Sequence, residues 1–242
     1  MPTTAIPPFV RDDLARLDIE LSDAVLNRLS TFLDLLLEAN RQFNLTSIRD
    51  HDEAWRRHIV DSLTLLPFLA ADPQCEAMID IGSGGGLPGI PLAIARPDRR
   101  VCLLEATGKK ARFLETCVKA LKLQSCRAIH QRAEQAGQDP AERQRYDAAV
   151  CRAIGPVREM LEYTLPLVRV GGRVLAMKGP KADQELKEAS RAMELLGAAE
   201  LEVYDAYGKG FENGSVIVIV TKARPTPRRY PRAAGMAKKS PL

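Results

Sequence analysis

The chain has no apolar stretch approaching the roughly 20 residues that a membrane-spanning helix needs. Its longest apolar runs lie around Leu33 to Leu37 and Val216 to Val220. The N-terminal segment Met1 to Arg11 contains prolines but no basic start followed by an apolar core, so it does not read as a secretory signal. No membrane role is expected, and a cytoplasmic location is. The five cysteines, Cys75, Cys102, Cys117, Cys126 and Cys151, form an odd set with no C-x-x-C pair and no Cys/His cluster at metal spacing. Neither disulfides nor a metal site is therefore expected. There is no internal repeat. Charge of one sign is also scarce overall: the net charge of +4 says little about a nucleic-acid partner if it is evenly spread. It is not evenly spread. From Thr221 to the end at Leu242 the chain carries Lys222, Arg224, Arg228, Arg229, Arg232, Lys238 and Lys239 and no acidic residue.

What is present is an ordinary globular composition, 45% hydrophobic and 27% charged, in a chain of 242 residues. That suits one α/β domain with a modest appendage. Between Leu21 and Asn40 the residues Leu26, Leu29, Leu33, Leu36 and Leu37 recur at helical spacing, with Ser22 as the expected N-cap. Trp55, Ile59, Ser62 and Leu66 mark a second helical stripe that Pro67 is expected to end. From Ala77 onward short apolar runs alternate with helical stretches, the pattern of βαβ units and a mainly parallel sheet. Strands are expected at Ala77 to Ile81, Val101 to Leu104, Arg127 to His130, Asp147 to Cys151, Val174 to Met177, Leu201 to Tyr204 and Val216 to Val220. The last run is continuously apolar, which predicts burial on both faces. Helices are expected at Lys109 to Leu121, with Thr107 as a cap, at Arg158 to Val168 and at Ala182 to Leu196. Pro225, Pro227, Pro231 and Pro241 predict an extended tail. The organisation expected is a helical segment 1–70, an α/β domain 71–222 and a basic tail 223–242.

The strongest constellation is Asp80-Ile81-Gly82-Ser83-Gly84-Gly85-Gly86-Leu87-Pro88-Gly89-Ile90-Pro91, set between a strand and a helix. Glycines there let the backbone bend sharply and a ligand approach closely. Gly84-x-Gly86-x-x-Gly89 satisfies the dinucleotide fingerprint, but Asp80 immediately ahead of the loop would repel a pyrophosphate from the helix N-terminus that should attract it. S-adenosylmethionine offers an ammonium and a sulfonium instead, and Gly82-x-Gly84-x-Gly86 begins directly after the strand. Glu105 ends the second strand, where a carboxylate can accept both ribose hydroxyls of an adenosine. Ala133 and Glu134 follow the third strand, at the position that would cap the adenine, although Arg132-Ala133-Glu134 could equally open a surface helix.

The strings Asn44-Leu45-Thr46, His58-Ile59-Val60-Asp61-Ser62-Leu63, the loop Asp80 to Pro91, Gly108-Lys109-Lys110, Cys151-Arg152-Ala153, Lys178-Gly179 and Tyr230-Pro231-Arg232, in this order across most of the chain, resemble the bacterial 16S rRNA guanine-N7 methyltransferases, also called glucose-inhibited division protein B. The resemblance implies a Rossmann-like class I S-adenosylmethionine methyltransferase fold, and methyl transfer to N7 of guanine 527 in the 530 loop of 16S ribosomal RNA, leaving S-adenosylhomocysteine. It implies cofactor contacts at Gly82 and Leu87, at Glu105, Ala106 and Thr107, at Ala133 and Glu134, and at Arg152; Asp80 and Gly84 join them from the loop. The family often carries an Arg-His pair before the last strand; Ser215-Val216 stands there in this chain, so no role for that pair is carried over.

Guanine N7 has a free lone pair at neutral pH, so its methylation needs an in-line approach and no general base. No catalytic proton-transfer residue is nominated. Exocyclic-amine enzymes resemble one another in an Asn/Asp-Pro-Pro-aromatic motif where this chain has Cys151-Arg152-Ala153-Ile154. Cys151 reads as a small buried strand residue, not a nucleophile. Arg152 could bond cofactor, guanine O6 or a phosphate, or form a surface salt bridge; the resemblance favours function. His58 and Asp61 are one helical turn apart and could anchor a helix or touch substrate. Lys178 is expected at a substrate contact or as a solvated lysine. Arg228, Arg229, Tyr230 and Arg232 are expected to touch RNA, and seven tail cations on phosphates would give a log-log salt slope of about −5. The expected partner is 16S rRNA or the small ribosomal subunit, met by a monomer. Competing readings are a methyltransferase of this fold acting on a small molecule or protein, a nicotinamide-dependent oxidoreductase, and a non-catalytic RNA-binding factor.

Overall fold

The structure, a computed structural model, describes residues 5–207 and 214–242. The first four positions of the segment Met1 to Arg11 lie outside the described residues. Helix α1 (Phe9–Arg16) follows Pro8 and buries Val10 and Leu14; nothing in the sequence pattern announces it, since about two turns with two buried apolar positions carry no readable period. Helix α2 (Asp23–Phe43) starts where Ser22, in extended conformation, accepts the Val25 N–H at 3.4 Å, and stops where Asn44 turns left-handed at φ 51°. Next come α3 (His51–Ala54), a π-helical turn (Trp55–Val60), α4 (Asp61–Leu63) and α5 (Leu66–Ala70). Pro67 opens α5 instead of ending the stripe before it, because a proline in the first turn forfeits an N–H that would be unpaired anyway.

The sheet is built from β1 (Ala77–Ile81), β2 (Arg100–Glu105), β3 (Cys126–His130), β4 (Tyr146–Arg152), β5 (Val168–Lys178), β6 (Ala198–Asp205) and β7 (Val216–Lys222). Between them run α6 (Gly89–Ala95), α7 (Gly108–Ala120), α8 (Ala133–Ala136), α9 (Val157–Thr164), α10 (Ala182–Lys187) and α11 (Ser190–Leu196), and α12 (Met236–Lys239) lies in the tail. The order across the seven-stranded sheet is β3-β2-β1-β4-β5-β7-β6; β1 to β5 are parallel and β7 runs antiparallel to both β5 and β6. Two helical expectations are corrected. The stretch from Arg158 ends at Thr164, and Val168 already belongs to β5; Ala182 to Leu196 is broken at Glu188 and Ala189 into two helices.

Alternation along the buried strands splits the core into two layers. Met78, Leu103, Val150, Leu175 and Ile219 face one side and pack under α2, the 51–70 helices, α6 and α7. Ile79, Leu104, Ala149, Ala176 and Val220 face the other and pack under α9, α11 and the tail. The helical lead-in thus covers one face and the tail the other. Since β1 pairs with β2 on one flank and β4 on the other, the strand order reverses between β1 and β4. In open α/β sheets the crevice at that reversal, outside the carboxyl ends of the strands, is where ligands bind.

The tail departs most from expectation: it is neither wholly extended nor free. Tyr230 is only 6% exposed, packed with the α9 layer. Arg143 donates to the carbonyls of Thr226, Pro227 and Tyr230, and Gln138 to those of Arg228 and Pro231. Lys222 is fully buried, its Nζ donating to Leu165 O and Val168 O at 2.7 Å each, and burial pulls its pKa down to about 7.

Candidate functional site

The glycine turn leaves β1 at the sheet's reversal point. Gly82 holds φ +71°, and a Cβ there would stand 2.8 Å from Ile154 Cγ2, so the residue serves both the bend and the close approach of the loop after β4. At Gly89 a Cβ would meet Leu103 at 2.4 Å and Asp80 Oδ2 at 2.6 Å, which is why α6 can begin directly on the sheet. Glu105, at the end of β2, ties the turn to its own strand: Oε2 accepts Gly84 N–H at 2.9 Å and Oε1 accepts Thr107 N–H at 2.7 Å. Each carboxylate oxygen keeps a second lone pair, so both remain available to hydroxyl donors. Thr107 occupies the N-cap position of α7, but its side chain makes no capping bond. Leu87 joins the hydrophobic core, so its apolar side chain points away from a polar ligand.

Asp80 is placed differently from expectation. Its side chain is 0% exposed and lies beneath the loop instead of lining a cleft. Oδ2 accepts Gly89 N–H at 2.9 Å, and Oδ1 is buried with no hydrogen-bond partner. Burial raises its pKa to about 7, against the opposing Gly89 hydrogen bond. The carboxylate is therefore an under-satisfied negative group in the floor of the turn, and a cation bound above it would restore its ionised form.

Beside the turn, a cleft of about 170 Å³ is lined by Gly82, Ala106, Ala133, Glu134, Ile154 and Tyr163 among others. Here the residues after β2 and β3 meet as expected. The Glu134 carboxylate is partly engaged, Oε1 accepting Gly235 N–H from the tail at 2.9 Å. One carboxylate at the end of β2, glycines after β1 and a largely apolar slot after β3 suit an adenosine carrying a positive group.

On the other side of Ile154 the scattered strings of the lead-in converge on the end of β4. Arg152 Nη1 donates to Arg57 O at 2.8 Å and to Asp61 Oδ2 at 3.1 Å, and Tyr207 OH donates to Asp61 Oδ1 at 2.9 Å. His58 sits against this pair, with Arg152 Nη2 3.4 Å from Nδ1, its Nδ1 2.9 Å from Arg57 O and its Nε2 2.7 Å from Thr46 Oγ1. Burial foremost, then the Arg152 cation, depresses its pKa to about 4. A neutral ring with Nδ1–H donating to Arg57 O and Nε2 accepting from Thr46 fits the two shorter contacts and leaves no acceptor for Arg152 Nη2 at Nδ1. Thr46 N–H in turn donates to Asn40 Oδ1 at 2.9 Å. Two clefts, of about 420 and 920 Å³, open here and share Asp61, Arg152, Ala153 and Ser215. Arg152 is thus ion-paired, as its bland reading held, but at the meeting point of these clefts. Ser215 and Val216, where the Arg-His pair of the resemblance would stand, line the smaller one.

Two sequence expectations move. Lys178 is neither solvated nor free for substrate: Nζ donates to Gly155 O and to Glu185 at 2.6 Å each, and Glu185 also accepts Val157 N–H at 3.1 Å. This pair clamps the loop 153–156, in which Ala153 holds φ +57° without being glycine. Arg232 is likewise engaged inward, on Glu162, and Tyr230 is buried, so neither is an open RNA contact; Arg228 and Arg229 stay exposed. Cys151 is buried and its thiol is pushed up by burial, as a strand residue should be. Sequence reasoning missed Tyr207 and the Arg143 clamp, whose partners lie far away in the chain and leave no local signal. Among the described residues no group of His, Cys, Asp or Glu could hold a metal, and no helix is long and apolar enough to cross a membrane.

Residues 25–211 match the family model GidB, described as rRNA small subunit methyltransferase G. The ribosomal RNA small subunit methyltransferase G of Chloroflexus aggregans is 43% identical over 226 residues, covering 93% of each chain. That of Leuconostoc citreum is 39% identical over 227 residues, 93% of this chain and 94% of the relative. Among solved structures, a SAM-dependent O-methyltransferase of Thermotoga maritima aligns with a TM-score of 0.53 at 15% identity, over 79% of this chain and 72% of its own. At that identity the likeness concerns the fold, which is the Rossmann-like α/β sheet of class I methyltransferases.

Proposed function

We propose that this chain, which belongs to the GidB family of rRNA small subunit methyltransferase G, methylates N7 of a guanine in 16S ribosomal RNA, guanine 527 of the 530 loop. As a member of that family it is an S-adenosylmethionine-dependent rRNA methyltransferase. The target atom, the small ribosomal subunit as partner, a monomeric state and a cytoplasmic setting belong to the proposal. So does the division of labour, in which the helical segment 1–70 walls the substrate side, the domain 71–222 carries the chemistry and the tail 223–242 braces the far layer.

The residues present fit the cofactor, and the observation that carries this is the orphaned Asp80 Oδ1 in the floor of the glycine turn. In the proposal Glu105 takes the ribose hydroxyls, Ala106 and Ala133 flank the adenine with Glu134 at its edge, and Gly82, Gly84 and the Leu87 backbone let the methionine part lie on the turn. Asp80 acts from beneath on the positive charge, and Arg152 reaches the carboxylate end or the acceptor base. Bound there, the cofactor would supply an electrophilic methyl group to the N7 lone pair, the S–C electron pair staying on sulfur, so that this chain's residues would have no proton to move. The protein's part is positioning, which can contribute roughly 7 to 11 kcal/mol. The absence of an Asn/Asp-Pro-Pro-aromatic string after β4 supports N7 over an exocyclic amine. Small subunits and naked 16S RNA incubated with methyl-labelled cofactor should each be assayed for label and for strand scission by borohydride and aniline, which cut at N7-methylguanine. Label at another base, or none, refutes the assignment.

A further inference from the structure

The geometry points to Asp61 as the residue that selects guanine, by accepting its N1–H and N2–H groups beside the Arg152 guanidinium, which donates to O6. This rests on the guanine-N7 reading and adds to it the recognition of the base. Three acidic residues line the two clefts at the end of β4: Asp13, Asp61 and Glu185. Asp13 stands at the rim of the larger cleft with Arg56 and Arg16, and Glu185 is engaged by Lys178 and Val157 N–H. Asp61 alone lines both clefts. Its oxygens each accept one hydrogen bond, from Arg152 and Tyr207, and each keeps a lone pair.

A carboxylate set beside a guanidinium presents two acceptors next to a donor. Guanine's Watson–Crick edge presents the complement, N2–H and N1–H next to O6. Uracil would set an oxygen against the carboxylate, and cytosine and adenine offer a bare ring nitrogen in its place. An arginine that holds O6 from this edge leaves N7, on the adjoining Hoogsteen edge, without a donor, so its lone pair stays free to react. A guanidinium forked across O6 and N7, the usual way a protein reads guanine, would block the reaction. The Watson–Crick edge is therefore the one from which a guanine-N7 enzyme can both recognise and release its target.

The same contact favours the reaction itself. As N7 becomes bonded to carbon the ring gains positive charge, N1–H grows more acidic, and its hydrogen bond to a carboxylate strengthens. An interaction stronger in the transition state than in the ground state raises kcat and not merely affinity. The nearby imidazole of His58 is neutral, as its depressed pKa requires, so Arg152 is the one cation bonded to Asp61 among the described residues.

The test compares RNA carrying guanosine or inosine at the target position, inosine lacking only the 2-amino group, with wild type and Asp61→Asn. Wild type should prefer guanosine by about 10- to 100-fold in kcat/KM, the scale of one missing hydrogen bond to a charged group. Asp61→Asn should lose about 100-fold on guanosine, mostly in kcat, and its guanosine-to-inosine ratio should shrink to within about threefold of unity. If Asp61 only held Arg152 in place, both substrates would suffer equally and the ratio would keep its wild-type value, which overturns the proposal. Should the variant be too unstable to assay, the wild-type ratio decides: a value near one overturns the proposal without any substitution. Wild type that transfers no methyl group to N7 of guanosine refutes the guanine-N7 reading instead.

Discussion

Arg232→Ala should destabilise the protein far more than a surface arginine would. Glu162, on α9, is 1% exposed and receives Arg232 through its backbone N–H at 2.8 Å, Nε at 2.9 Å and Nη2 at 2.6 Å. Nη1 of the same side chain reaches Ser240 O at 2.9 Å. Truncation leaves a buried carboxylate with one backbone donor, and breaking a buried pair on one side costs roughly 3 to 5 kcal/mol. Glu162→Gln in the same chain removes the stranded charge, so the double variant should regain about 1 to 3 kcal/mol of that loss. Urea denaturation with equal m-values is the assay. The companion measurement is the salt dependence of RNA binding. Seven tail cations would give a slope of about −5, whereas the five that are exposed, Arg224, Arg228, Arg229, Lys238 and Lys239, give at most about −3.5. Arg232→Ala costing under about 1 kcal/mol while lowering that slope would show that the arginine serves RNA and not Glu162, and the structural account of the tail would be wrong.

Asp80→Asn keeps an acceptor for Gly89 N–H but carries no charge; affinity for S-adenosylmethionine measured by calorimetry should drop about tenfold or more. It should also lose the rise that wild type shows as pH climbs through about 7, where the carboxyl ionises. Unchanged affinity would remove Asp80 from the cofactor site. Lys178→Met removes the Nζ bonds to Gly155 O and Glu185 that hold the loop 153–156, and should raise KM for the cofactor about tenfold, with Lys178→Arg restoring part of it; a variant with wild-type kinetics contradicts the clamp. For His58 the sign follows from the ring's depressed pKa of about 4 against 6.5. Above pH 6.5 the imidazole is neutral folded and unfolded, and full stability is present. As pH falls from 6.5 towards 4 the unfolded chain takes up the proton first, so stability is lost across that window, by up to roughly 3 kcal/mol. The wild-type minus His58→Gln difference in denaturation midpoints should open in that interval, and a flat difference would refute a buried neutral ring.

The strands and the glycine turn were legible because each carries its own signal. Val216 to Val220 is apolar without interruption and β7 is buried through most of its length; Gly82 and Gly86, between β1 and α6, hold positive φ where a Cβ would also clash with Ile154 and Ile90. Depth was not legible. A carboxylate before a glycine turn reads the same whether it lines the cleft or lies beneath it, and only Gly89 pressed onto Asp80 shows which. Nor does a basic, proline-rich tail announce that Arg232 has a buried acid waiting 70 residues earlier. Such pairs stand on elements brought together by the sheet order, and a single sequence holds no local trace of that. Pro67 misled for a different reason: proline ends a helix or begins one, and the residues before it do not tell which.

The lead-in and β4 form one site because of an irregularity in the helix. In the π turn Trp55–Val60 the N–H groups at the C-terminal cap bond Arg56 O and His58 O, passing over Arg57 O. That carbonyl is thereby left to accept Arg152 Nη1 and His58 Nδ1. In an unbroken α-helix Arg57 O would accept the N–H of Asp61, and Arg152 would face a carbonyl already engaged along the helix axis. The wider turn thus turns a backbone acceptor and, one step on, the Asp61 carboxylate toward the same guanidinium. π turns of this kind occur frequently at functional sites, and here the reason is specific. Arg152 comes from the strand beside the glycine turn, Asp61 from the helical segment over the substrate clefts, and the released Arg57 carbonyl fixes their spacing. A change in that turn's register would therefore disturb acceptor binding and cofactor placement together, although it touches neither the glycine loop nor the sheet.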